Sequence, residues 1–119
     1  MDDGRVIVEH IEVAASFVGR LRGLMWRRDL PEGEALLLPG TNSIHMLFMR
    51  FPIDCLFLGR PEVDGTQRVV SVRRKLPRWR GVVWYVRRGR DVIEMPAGTL
   101  DATNIQVGDA VRLERSLTL

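Results

Sequence analysis

Thr41 to Leu58 reads TNSIHMLFMRFPIDCLFL, a stretch dense in Leu, Ile, Met and Phe that nevertheless holds His45, Arg50 and Asp54. A buried charge without a partner costs several kcal/mol or is neutralised. These three residues must therefore pair, line a cavity or lie along a wet edge. Pro52 divides the stretch, because proline cannot donate to a sheet ladder. Two extended pieces follow from that break, 44–49 and 53–58.

Working outward, the same grammar repeats. Residues 5–11 alternate, with Val6 and Val8 on one side and Ile7 and Glu9 on the other, which predicts a strand. Pro31 and Gly33 precede a Leu-rich strand over 34–38, and Pro39 with Gly40 ends it. A connection over 59–65 leads to alternation over 68–74. Residues 82–87 and 91–95 predict strands on either side of Arg88-Gly89-Arg90. Residues 99–104 have room for one helical turn, and 110–117 predicts a closing strand. The one clear helical pattern is 14–22, where Phe17, Leu21 and Leu24 recur at helical spacing and Gly23 offers a cap. Short strands at this spacing with one early helix predict a mainly β fold, a compact antiparallel sandwich or barrel-like domain with one short helix in its N-terminal half.

The chain has 119 residues, the size of one domain, so 1–119 is expected to fold as a unit. Apolar residues make up 45%, enough for a single core. No apolar run approaches the ~18 residues that span a bilayer. The start, MDDGRVIVEHIEV, lacks a basic segment followed by an apolar one, so the expected address is cytoplasmic. Cys55 is the single cysteine, which excludes an internal disulfide.

Net charge is +3 but unevenly placed. Residues 60–90 hold ten basic groups against Glu62 and Asp64, while the remainder holds eight basic and thirteen acidic. Trp79, Trp84 and Tyr85 interleave with the basic residues of 73–90, which allows RNA or single-stranded DNA binding by stacking and phosphate contacts. Against this, Trp84 and Tyr85 are adjacent, and adjacent strand residues face opposite ways. A solvated basic surface explains the same pattern.

Motif chemistry is mostly excluded. Neither a GxxxxGK[ST] phosphate loop nor a GxGxxG or GxSxG turn is present. Two His and one Cys, without CxxC or HExxH spacing, call for no metal. No cofactor is expected.

Several phrases in order, GLM at 23–25, HMLFMRFPIDCLFL at 45–58, VIEMPAGT at 92–99 and Gly108-Asp109, resemble the family known as domain of unknown function 192, also called uncharacterised protein family 0127. The resemblance spans nearly the whole chain. It implies a compact β-rich domain and carries no established activity. Many similar proteins are exported or lipid-anchored, which the start of this chain does not lead one to expect.

The residues themselves give a site hypothesis. Asn42, Ser43 and His45 would supply hydrogen bonds beside residues 41–54, and Arg50 would hold an anionic group. Asp54 and Glu94, each in an apolar strand pattern, would position polar groups, with Met46, Met49 and Phe51 as walls. The expected occupant is a small molecule or peptide. An enzyme using Asp54 and Glu94 with His45 as acid and base is the alternative. Each carboxylate also has a purely structural reading, as an acceptor for backbone N–H groups or a partner for Arg. A Cys55 nucleophile with His45 as base is the weakest variant, because a neighbouring carboxylate opposes thiolate formation.

Overall fold

A computed structural model describes residues 6–8, 10–13, 32–41, 44–45, 51–77, 82–83 and 85–113. Its strands are β1 (His10–Val13), β2 (Glu34–Pro39), β3 (Ile44–His45), β4 (Ile53–Leu58), β5 (Gln67–Leu76), β6 (Val82–Val83), β7 (Asp91–Pro96) and β8 (Ala110–Val111), with one helix, α1 (Thr99–Thr103), between β7 and β8. The predicted helix over 14–22 lies outside the described residues.

Six strands form one sheet in the order β1-β2-β7-β4-β5-β8, and β3 pairs with β6 in a separate ribbon. All pairings are antiparallel except β1 with β2, which run parallel. The expected mainly β architecture is therefore present, as one curled sheet with a short ribbon. The first strand begins later than its alternation predicts. Its partner β2 starts only at Glu34, so pairing begins at His10, and Ile7 and Val8 pack against the core without joining the ladder.

β4 sits at the centre, between β7 and β5, and every one of its residues is buried. Successive side chains on a strand point to opposite faces, and both faces of this sheet carry a core. One face gathers Leu36, Leu38, Ile53, Cys55, Phe57 and Val92, with Val83 from β6 and Phe51 packed on it. The other gathers Ala35, Leu56, Leu58, Ile93, Met95 and Leu100 from α1. Burial on both faces explains why β4 reads as a continuous apolar run rather than an alternating one.

β5 carries two irregularities against β4. Ile53 pairs with Leu76 but Cys55 with Arg73, and Phe57 pairs with Ser71 but Leu58 with Val69. In each case β5 holds one residue more than β4, and such bulges sharpen the local bend and twist. Lys75 lies in the first, with a φ of 52° that a non-glycine residue adopts only at a cost.

The far end of the sheet is tied by a polar link. Gln67 donates from Nε2 to the Gly59 carbonyl and to Asp91 Oδ2, both at 2.8 Å, and Asp91 Oδ1 accepts from the Gly40 N–H at 3.0 Å. Ends of β2, β4, β5 and β7 are thereby joined around one buried amide.

The turn into α1 requires Gly98. Its φ is 95°, in the left-handed region, and an added Cβ would meet nothing within 4 Å. Gly98→Ala should therefore destabilise by about 1 kcal/mol through backbone strain alone, measured as a lower denaturation midpoint with unchanged slope in urea.

Candidate functional site

Asp54 leaves β4 on the α1 side of the sheet, one place from Leu56 on the same face. It is 0% exposed. Its Oδ1 accepts the Lys75 N–H at 2.8 Å, and its Oδ2 accepts the N–H groups of Gly98 at 3.1 Å and Leu100 at 2.9 Å. Two of these donors, the N-cap residue Gly98 and Leu100, stand at the start of α1, where backbone N–H groups have no partner within the helix. The third belongs to the β5 bulge. Asp54 therefore holds three pieces of backbone together, and neither of its oxygens is left idle.

Glu94 stands on the opposite face. In register it lies between Leu36 on β2 and Cys55 on β4, both members of the first core cluster. Directly opposed residues of an antiparallel pair share a face, so Glu94 and Cys55 look the same way while Asp54 looks the other. The two carboxylates do not meet in one pocket, and the shared acid–base arrangement weighed from sequence loses its geometry.

Glu94 is only 6% exposed, and its Oε2 is buried with no hydrogen-bond partner among the described residues. Burial pushes its carboxyl up from an ordinary 4.5 to about 8. At neutral pH it is a neutral acid set in an apolar wall. Cys55 beside it is fully buried, and its thiol is pushed well above 9.0, first by burial and then by the charges of Glu94 and Asp54. A nucleophilic thiolate is disfavoured there.

The described parts of 41–54 lie close to this face. Phe51 packs on the Glu94-side cluster. Thr41 donates its N–H to the Arg90 carbonyl at 2.8 Å. His45 belongs to β3 and stands opposite Val82 in register, next to the Ile44–Val83 pair, and Val83 is buried in the same cluster. Asn42, Ser43, Met46, Met49 and Arg50 lie outside the described residues, so of the six candidate ligand-binding residues, Asp54 and Glu94 are placed with their side chains and His45 by its backbone.

The basic stretch divides in two. Arg74 Nε and Lys75 Nζ reach the two oxygens of Asp101, at 3.2 and 3.3 Å, and Arg74 also donates to the Ile105 carbonyl at 3.0 Å. These contacts are exposed and individually weak, but they commit two cations to the chain itself. Tyr85, Arg87, Arg88 and Arg90 are exposed, whereas Trp79 and Trp84 lie outside the described residues. Among the described residues no three His, Cys, Asp or Glu side chains gather to hold a metal ion, and no helix is long and apolar enough to cross a membrane.

The family model of DUF192, described as an uncharacterized ACR, matches residues 2–113. The chain belongs to this family. A UPF0127 protein of Thermococcus sibiricus is 34% identical over 117 residues, covering 93% of this chain and 70% of that one. A UPF0127 protein of Pyrococcus furiosus is 31% identical over 119 residues, covering 96% and 95%. Among solved structures, a protein of unknown function from Novosphingobium aromaticivorans superposes with a TM-score of 0.69 at 21% identity, over 82% of this chain and 70% of that one. A putative transcription regulator from Sinorhizobium meliloti gives 0.67 at 21% identity, over 82% and 76%. At that identity the likeness establishes the fold of the DUF192 domain.

Sequence reading picked out Asp54 and Glu94 but missed the link of Gln67 to Asp91. Gln67 opens a strand like many polar residues do, and no local signal marks it as buried. Two predictions separate the carboxylates of this DUF192 chain. Asp54→Asn puts an amide donor against backbone donors and should cost about 2–4 kcal/mol, read from chemical denaturation. For Glu94 the folded chain keeps its proton up to about pH 8, while the unfolded chain releases it near 4.5. The folded state binds more protons across that window, so stability falls as pH rises through it. Glu94→Gln cannot ionise and should flatten this slope, with a gain on the order of several kcal/mol at pH 8.5 relative to the parent, checked by urea melts at pH 5 and 8.5.

Proposed function

We propose that this DUF192 domain is a binding module that takes a small molecule or short peptide on the Glu94 face of its sheet, beside residues 41–54. One observation carries the reading: among the described residues, Glu94 offers a buried carboxyl oxygen without a partner, beside Leu36, Cys55, Phe51 and Val83. Mostly apolar surfaces with a few convergent polar groups are what small-molecule sites use. A buried polar atom left unsatisfied costs roughly 1–3 kcal/mol, and an apolar residue of similar size would avoid that cost. Retaining an acid there is intelligible if a ligand supplies the missing bond.

Binding is favoured over catalysis because the reactive side chains among the described residues do not converge. Both oxygens of Asp54 are engaged by backbone on the other face. The Cys55 thiol is held protonated by burial. His45 and Arg50 would contribute from the 41–54 segment, as polar contacts around the anchor.

A thermal-shift screen of the full chain against a metabolite and dipeptide library tests this. A ligand that binds only the folded state raises the melting temperature by mass action. Hits are expected to weaken at least tenfold in Glu94→Leu, which removes the polar head, and to weaken in His45→Ala. An empty screen, or hits indifferent to both substitutions, rules the site out.

A further inference from the structure

We infer that the group bound at Glu94 is a cationic nitrogen, an ammonium or guanidinium, carried on an apolar body; this rests on the reading of Glu94 as the anchor. By register this face also carries Glu34 on β2 and Ser71 and Arg73 on β5, the last two bonded to each other at 3.1 Å, and Cys55 beside Glu94 is a weak donor, yet none of them reaches Oε2. The donor for Oε2 therefore comes from outside the described wall.

The choice of side chain then narrows the donor. A ligand hydroxyl or amide would be held equally well by a glutamine, which has the same shape and carries no ionisable proton. Glutamate differs in one respect: it can become an anion. Burial penalises that anion heavily unless a cation arrives with its own N–H donors. A cation bound at Oε2 converts the penalty into a charge-assisted hydrogen bond, which is shorter and roughly twice as strong as a neutral one. An anionic ligand would gain nothing here and would be repelled once the acid ionised. Leu36, Phe51, Ile53 and Val83 make the surroundings of the carboxyl apolar, an environment that suits an aliphatic or aromatic stem on the same ligand.

The proton balance is simple. The neutral Glu94 carboxyl releases its proton to solvent, and an N–H of the bound cation donates to the resulting carboxylate. Since Glu94 holds its proton up to about pH 8, cation affinity should fall about tenfold for each pH unit below that value. Cys55, facing it from β4, stays protonated throughout this range. Leu36 on β2 and Val83 on β6 are not titratable, and Glu34 on β2 and Arg73 on β5, which share the face by register, are controlled by repeating the titration in Glu34→Gln and Arg73→Ala. His45 on β3 is controlled by repeating the titration in His45→Ala.

The probes are n-butylammonium, n-butylguanidinium, n-butanol and butyrate at matched ionic strength, with the full chain, followed by thermal shift and by the amide resonances of Leu36, Cys55 and Glu94. Both cations should raise the melting temperature and move these amides, more strongly at pH 8 than at pH 6, and Glu94→Gln should abolish the response. If n-butanol moves the same amides as strongly as the cations, or if the cation response is flat from pH 6 to 8, Glu94 remains an anchor and the cation assignment falls. If no probe touches these amides and the metabolite screen is empty as well, the site itself falls.

Discussion

A carboxylate that accepts three backbone N–H groups fixes three stretches of chain at once, and Asp54 does so from the centre of the sheet. Through Lys75 it steadies a left-handed residue in the β5 bulge. Through Gly98 and Leu100 it satisfies the start of α1, whose Leu100 then fills the core on that face. The bend of β5, the position of the helix and the packing beneath it share one acceptor. These bonds are made in a fully buried place, where leaving any of the donors unpaired would be expensive.

Glu94 makes the opposite use of the same chemistry. It sits at the same depth, in a strand adjacent to that of Asp54, and finds no donor among the described residues. Two acids, one saturated and one idle, divide the labour of the sheet between its faces. The α1 side is closed by backbone. The side under β6 keeps one buried oxygen without a donor among the described residues.

Much of this was legible in the chain. The strands over 34–39, 53–58 and 91–96 are bracketed by Pro and Gly, and their apolar runs announce them within a residue or two. Asp54 and Glu94 stand out as acids among apolar neighbours. Their separation was hidden, because the face of a residue depends on which strands pair and in what register, and that is decided by long-range contacts. Alternation over Val6 and Val8 suggested pairing that begins only at His10, since a strand needs a partner as well as a pattern. The parallel β1–β2 pair had no local signature at all.

Cys55 lies at 0% exposure in the middle of β4, and it is the chain's single sulfhydryl. With no second cysteine to join, oxidation has no intramolecular outlet, and in the folded protein oxidants cannot reach the sulfur. Only opening of the central strand would present it. In oxidising surroundings the sulfur would therefore react no faster than this sheet comes apart.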